Sequence, residues 1–285
     1  MADRDDSFDS ARGGFDGARG DSFDKEGIRN VLTVAIVMCL VCSILVAGAA
    51  VNLRPAQQLN KEADKRQNIL RAAGMLPANA KIDAEGRGVE ELFSRFSVRA
   101  VDLASGRFVA DFDIDGYNQL RAARDPARSR DLSNSEDIAT LGRLENVTLI
   151  YIIQTDAGIE KLVLPVRGYG LWGTLYGYLA LEGDLKTISG LAFYDQKETP
   201  GLGGEVDNPK WKAQWVGVQL FDDAGEPAVR LVKTRSASGS EAAAYEVDAL
   251  SGATLTTRGV ENLVRFWAGE LGFGPFLDNL KAEAA

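Results

Sequence analysis

The chain has 285 residues, enough for one large domain or two small ones, and its 45% hydrophobic fraction allows a sizeable core. Its formal charge of -9 argues against a nucleic-acid partner, because no segment supplies the clustered Lys and Arg that phosphates require. It has no histidine (His 0), which excludes Ser-His triads, His proton shuttles and His metal sites.

Residues 1–30 are rich in Asp, Gly, Ser and Arg, repeat Asp-Ser-Phe-Asp at Asp6 and Asp21, and have no apolar period. They are expected to be a disordered tail, with Phe8, Phe15 and Phe23 as isolated apolar residues. Residues 31–51 form an apolar run broken only by Thr33, Ser43 and Gly48. At 1.5 Å per residue it is long enough for a hydrocarbon core of about 30 Å, so residues 31–53 are read as a single transmembrane helix. A cleaved signal peptide fits less well, because the preceding tail is long and acidic. Lys and Arg flank the span on both sides, so charge alone does not orient it. Cys39 and Cys42 fall on one face of the span; two thiols without further ligands are read as packing residues rather than half an iron–sulfur site.

Residues 54–140 are expected to form a membrane-proximal helical and α+β segment. Within it, residues 56–75 carry a charged face around Lys61, Glu62 and Lys65 opposite Ile69, Leu70 and Ala73, with Gly74 and Pro77 as stops. A short helix is expected over 89–96, strands over 98–102 and 108–111, and a polar surface loop or short helix over 122–140. Residues 148–154 and 161–166 suggest a hairpin. Residues 168–178 alternate Gly with Tyr, Leu and Trp; glycine permits close approach and an aromatic ring offers a flat face. Most of these aromatics are expected in the core, with Trp172 and Thr174 as candidate ligand contacts. Residues 187–194 form a further expected strand. The Gly-rich stretch from Glu198 to Trp211 lacks both the P-loop and dinucleotide signatures, so no dinucleotide fold is indicated. Expected strands at 219–221, 228–234 and 246–248 follow.

The chain then reads Asp248-Ala249-Leu250-Ser251-Gly252-Ala253-Thr254-Leu255-Thr256-Thr257, a small-residue turn bringing three threonine hydroxyls to a helix start. Val260, Leu263, Val264, Trp267 and Leu271 make the apolar stripe of that helix, which closes at Gly269 or Gly272. Its unpaired N–H groups and dipole favour a phosphate there, and Gly252 and Ala253 leave room for a bulky group. Taken alone, the turn reads first as a capped helix start, with Thr254 or Thr257 as the cap.

Asp248 followed three positions later by S-G-A-T resembles the flavinylation site of the FMN-binding domain of sodium-pumping and related respiratory complexes. The blocks L-P-x-x-G-x-G-L-W from Leu164 and E-T-P-G-L-G-G-E-V-D-N-P-K-W from Glu198 are similar to those of the C-subunit family of sodium-translocating NADH:quinone oxidoreductases. The resemblance implies an α+β fold: a single N-terminal transmembrane helix followed by a mixed sheet-and-helix FMN-binding domain over 141–275, with 276–285 as a C-terminal tail. It implies FMN bound through a phosphoester to Thr254, with Asp248 the acidic residue of the motif and Ser251, Gly252, Ala253, Leu255 and Thr256 beside it. Trp172, Thr174, Glu198, Thr199, Leu202 and Gly203 are carried over as residues that approach the flavin. It further implies an electron carrier, inactive alone and holding no metal, within a complex of six subunits in the bacterial inner membrane. The FMN domain would be periplasmic, with membrane lipid around the anchor. An unassisted threonine hydroxyl is a poor nucleophile, so a separate flavin transferase would install the group. The alternatives are the G subunit of an Rnf-type complex, which shares the flavin motif, and a membrane-tethered scaffold without a redox group.

Overall fold

The computed structural model describes residues 25–77, 80–156 and 158–284, which divide into two compact units between Gln58 and Leu59. In the first unit the described chain is entirely helical: α1 (Lys25–Ala72) begins there. It is long and apolar enough to cross a membrane, with mean hydropathy 2.8 in its most apolar stretch. Ile36, Leu40, Ile44 and Leu45 all stand exposed. Leaving such side chains in water forgoes about 1.5–3 kcal/mol each, so hydrocarbon is the solvent they match. The hydroxyls of Thr33 and Ser43 donate to the carbonyls of Arg29 and Cys39 (2.7 and 2.6 Å), which hides both polar groups inside the apolar run. Cys39 and Cys42 are unpaired and exposed on this helix. The helix already includes residues 25–30, which composition places in the tail, because Ile28 and the apolar run continue one periodic segment. The rest of that tail, 1–24, lies outside the described residues.

The second unit is built on a six-stranded antiparallel sheet. Its elements are α2 (Val89–Phe93), β1 (Ser97–Asp102), β2 (Arg107–Phe108), α3 (Gln119–Ala122), β3 (Ser129–Asp131), β4 (Arg143–Glu145), β5 (Val147–Thr155), β6 (Gly158–Tyr169), β7 (Thr174–Glu182), β8 (Ile188–Asp195), α4 (Pro209–Ala213), β9 (Arg230–Val232), β10 (Glu246–Asp248), α5 (Thr254–Ala268) and α6 (Gly274–Ala284). The sheet order is β2-β1-β5-β6-β7-β8. β1 pairs with β5 along its whole length, so a strand that precedes residue 140 shares a sheet with the expected FMN domain. The segment from Leu59 onward and the expected FMN domain share one unit.

Alternation along the strands splits two cores between the faces of the sheet. Ile150, Ile152, Leu162, Leu164, Leu175 and Leu179 join Val260, Leu263, Val264 and Trp267 of α5. Tyr151, Ile153, Val163, Tyr178 and Ala180 join Ile69, Leu70 and Leu92 on the other side. Both faces are therefore covered, which is why β5 to β8 read as near-continuous apolar runs. The end of α1 sits directly on β8: a Cβ at Gly190 would fall 2.4 Å from the carbonyl oxygen of Ala72. Gly74, in the left-handed region (φ 71), closes α1 as its sequence position predicts, and Met75 N–H bonds back to Leu70 O at 2.9 Å.

Several elements differ from the expectations. Within the polar segment 122–140, β3 forms and pairs with β4. Residues 219–221 make only isolated bridges, Thr187 with Gln219 and Phe221 with Pro227. Residues 276–285, expected to be a tail, lie mostly in α6, whose Phe276, Leu277 and Leu280 are buried in the α5 core. Their i, i+1, i+4 spacing is an amphipathic stripe, and Phe276 also meets the ring of Phe108 edge-on at 5.4 Å.

Candidate functional site

The site assembles where α5 begins. Its stripe binds it to the sheet, and two glycines bring it close to the end of β6. A Cβ at Gly259 would lie 2.3 Å from Tyr169 O, and one at Gly168 would lie 2.8 Å from Leu263 Cβ. Trp267 Nε1 donates to Arg167 O at 2.7 Å and closes the far end of the same contact. The approach to α5 is held equally well. Trp211 Nε1 of α4 donates to Asp248 O (2.9 Å), and Asp248 N–H donates to Gln214 Oε1 (3.0 Å). The N-P-K-W run thus has a structural purpose: Asn208 caps α4 through Lys210 N–H, Pro209 opens it, and its Trp pins the end of β10.

The three threonines have different surroundings. Thr256 is fully buried (0%), and its hydroxyl donates to Glu198 Oε2 at 2.5 Å. Thr257 is buried; its hydroxyl donates to Ala253 O (2.9 Å) and accepts from Leu250 N–H (3.1 Å). Thr254 is exposed, and its hydroxyl has no hydrogen-bond partner among the described residues. It does not cap the helix: Ala253 holds the cap position without a side-chain bond. Gly252 precedes it in the left-handed region (φ 72), and a Cβ there would stand 3.0 Å from Leu202 Cδ2. The left-handed backbone favours glycine, whereas the contact with Leu202 is one that its flexible side chain can relieve.

Apolar side chains that water does not favour stand on the segments joined to this helix start. Trp172 is 63% exposed, Leu255 55% and Leu202 44%, and Leu171 is exposed beside them. Beneath them Glu198, 5% exposed, accepts hydrogen bonds from Leu171 N–H and Trp172 N–H at 3.0 Å each. Gly203 passes so close that a Cβ would lie 2.6 Å from both Glu198 Oε2 and Thr256 Oγ1. Thr199 is exposed, and its carbonyl accepts from Leu202 N–H (3.1 Å) and Gly204 N–H (2.9 Å), shaping the loop that presents Leu202. Ser251 and Asp248 are exposed on the turn. Thr174 is half-buried at the start of β7, in a small depression of about 90 Å³ lined also by Arg124, Arg143 and Arg167, and has no hydrogen bond to Glu198 or its partners.

The arrangement fits FMN. An exposed hydroxyl at a helix N-terminus suits its phosphate, a glycine without Cβ gives the chain access, and Trp172, Leu202 and Leu255 offer apolar surface to a planar ring. A cavity of about 520 Å³ lies elsewhere: it is lined by Lys61, Tyr117, Tyr151, Tyr176, Tyr178 and Tyr194 on the α1 face of the sheet. It contains none of the residues carried over as flavin contacts. Pattern reading missed Leu171, Gly170, Gln196 and Gln214. Leu171 acts through its backbone, Gly170 leaves room for Glu198 Oε1, Gln196 Oε1 accepts from Glu198 N–H at 2.6 Å, and Gln214 holds Asp248. Gln196 and Gln214 carry no spacing signal, whereas Gly170 and Leu171 stand inside the L-P-x-x-G-x-G-L-W block, which does not say what they touch.

The family profile described as FMN-binding domain matches residues 170–269. The chain is 50% identical over 259 residues to the C subunit of the Na(+)-translocating NADH-quinone reductase of Pseudomonas aeruginosa, covering 90% of this chain and 98% of that one. It is 44% identical over 263 residues to the protein of the same name in Yersinia pestis, covering 92% of this chain and 96% of that one. Its fold is similar to the crystal structure of Shewanella oneidensis NqrC, with TM-score 0.68 and 35% identity over 78% of this chain and 99% of that one. The chain belongs to the family formed by the C subunits of the Na+-translocating NADH-quinone reductase.

Proposed function

We propose that this chain relays electrons within a membrane-bound, Na+-translocating NADH:quinone reductase through one FMN held covalently on Thr254. The chain is a flavoprotein subunit of that larger assembly, and neither the Rnf-type reading nor the scaffold reading is favoured. The single observation that carries the covalent assignment is the state of the three hydroxyls. Thr256 and Thr257 are buried and bonded, whereas Thr254 is exposed and has no partner among the described residues.

Bound FMN supplies reversible one- and two-electron redox chemistry. The chain's own groups hold it. The N–H groups at the start of α5 would favour its phosphate, Thr254 would tether it, and β-branching at Thr254 restricts χ1 and so would limit the swing of the tether. Trp172, Leu202 and Leu255 would offer the ring apolar cover, with Asp248, Ser251, Gly252, Ala253, Thr199 and Gly203 around it. No base among the described residues stands within hydrogen-bond reach of the Thr254 hydroxyl, so the phosphoester is made by a separate flavin transferase. NADH oxidation and quinone reduction belong to the other subunits, six in all with this one. The anchor is α1 from about residue 31 to 53, the tail preceding it is cytoplasmic, and the second unit is periplasmic.

Peptide mass spectrometry of the purified complex tests the attachment. The FMN phosphate is expected on Thr254, Thr254→Ala should lack covalent flavin, and Thr256→Ser should keep it. FMN phosphate found on Thr256 or Thr257 refutes the assignment.

A further inference from the structure

Three segments distant in sequence meet at one side chain. The turn between β6 and β7 contributes Leu171 and Trp172, the loop after β8 contributes Glu198 itself, and α5 contributes Thr256. Glu198 Oε1 accepts from both backbone N–H groups of the turn (3.0 Å each), and Oε2 accepts from the Thr256 hydroxyl (2.5 Å). The backbone on two sides has no room for a side chain: a Cβ at Gly170 would lie 2.5 Å from Oε1, and one at Gly203 2.6 Å from Oε2. We propose that Glu198 is a positioning residue that joins these segments into the flavin face and, through its buried charge, lowers the reduction potential of the flavin held there. The proposal rests on Thr254 as the attachment site.

The charge is the informative part. Glu198 is buried, and no Lys or Arg among the described residues makes an ion pair with it. Taking a carboxylate out of water without a counter-ion is unfavourable. Three charge-assisted hydrogen bonds and the first turn of α5 offset that cost. A glutamine would make the same three contacts without it: its carbonyl accepts from Leu171 and Trp172, and its amide donates to Thr256 Oγ1. The joint therefore needs the shape of Glu198 but not its charge. A fixed anion beneath the face that carries the flavin opposes the arrival of electrons, because adding negative charge near it is disfavoured.

The full-length chain, co-expressed with its complex and purified in detergent, separates the two parts. In the Thr254→Ala background, which needs no flavin, Glu198→Ala should speed amide exchange in the peptide covering 171–172 at least about tenfold, as expected for losing hydrogen bonds to a charged acceptor. Glu198→Gln should restore protection. In the flavinylated chain, Glu198→Ala should lower covalent flavin per chain and Glu198→Gln should restore it, while spectroelectrochemical titration of Glu198→Gln should give a more positive midpoint. Unchanged exchange in Glu198→Ala overturns the joint, and a Glu198→Gln midpoint equal to or below wild type overturns the charge effect. Wild-type chains without flavin on Thr254 would defeat the attachment reading, and with it the charge effect, while the exchange measurement still judges the joint.

Discussion

Gly259→Ala sets two effects of opposite sign against each other. In the interior of an exposed helix, replacing Gly by Ala stabilises by about 0.8–1 kcal/mol through helix propensity. At this position the new Cβ would stand 2.3 Å from Tyr169 O and 3.0 Å from Gly170 Cα. Both are backbone atoms, so no rotamer relieves the overlap, and α5 must retreat from the end of β6 by about 1 Å to reach ordinary contact. Overpacking of this kind costs about 1–3 kcal/mol and occasionally more. The clash wins by up to about 2 kcal/mol, which for a unit of this size lowers Tm by about 4–8 °C. The same retreat pulls Thr256 from Glu198, so covalent flavin per chain should fall too. Thermal unfolding of the detergent-solubilised chain by near-UV circular dichroism, with in-gel flavin fluorescence, measures both. A Tm at or above wild type would show that propensity dominates and that α5 does not press on β6 as described.

Arg167→Met should destabilise by about 3–5 kcal/mol in urea unfolding, because it strands the buried Glu145. Arg167 Nη1 donates to Glu145 Oε1 at 2.8 Å, while Nη2 stands 2.5 Å from Oε2 in ionic contact, off the hydrogen-bond line. Adding Glu145→Leu should recover most of the loss. Trp267→Phe removes the bond to Arg167 O and should cost about 1–3 kcal/mol by the same assay. Burial pushes the phenol of Tyr117 up to about 12, with the Glu145 carboxylate adding to the effect, and burial raises Tyr178 and Tyr194 in the same direction. Phenols raised in the folded state contribute stability that is complete below pH 10 and lost as pH rises through their folded values, so urea midpoints should fall from about pH 10 upward. Constant midpoints up to pH 12 would contradict that burial. Protease added to right-side-out spheroplasts should digest the second unit, and a protected unit would reverse the topology.

Much of the molecule follows from local pattern. The apolar run of α1, its stop at Gly74, the α5 stripe and the β5–β6 hairpin each reflect a period of 3.6 or 2, which a single stretch of chain imposes on itself. The order of the three motif blocks is equally local, and it points to the family before any coordinates. The motif resemblance singles out Thr254 among the three hydroxyls at the head of α5, but the partner that occupies Thr256 lies elsewhere in the chain. Thr256 is occupied by a carboxylate 58 residues away, and Thr254 is distinguished by what fails to reach it. Glu198 was legible as a motif residue near a flavin, whereas its work is beneath the face, on two backbone N–H groups that no side-chain pattern encodes. The pairing of β3 with β4 and the burial of α6 also needed the tertiary structure. A polar strand or a short stripe is stabilised only by the surface it meets, and those surfaces come from distant parts of the chain.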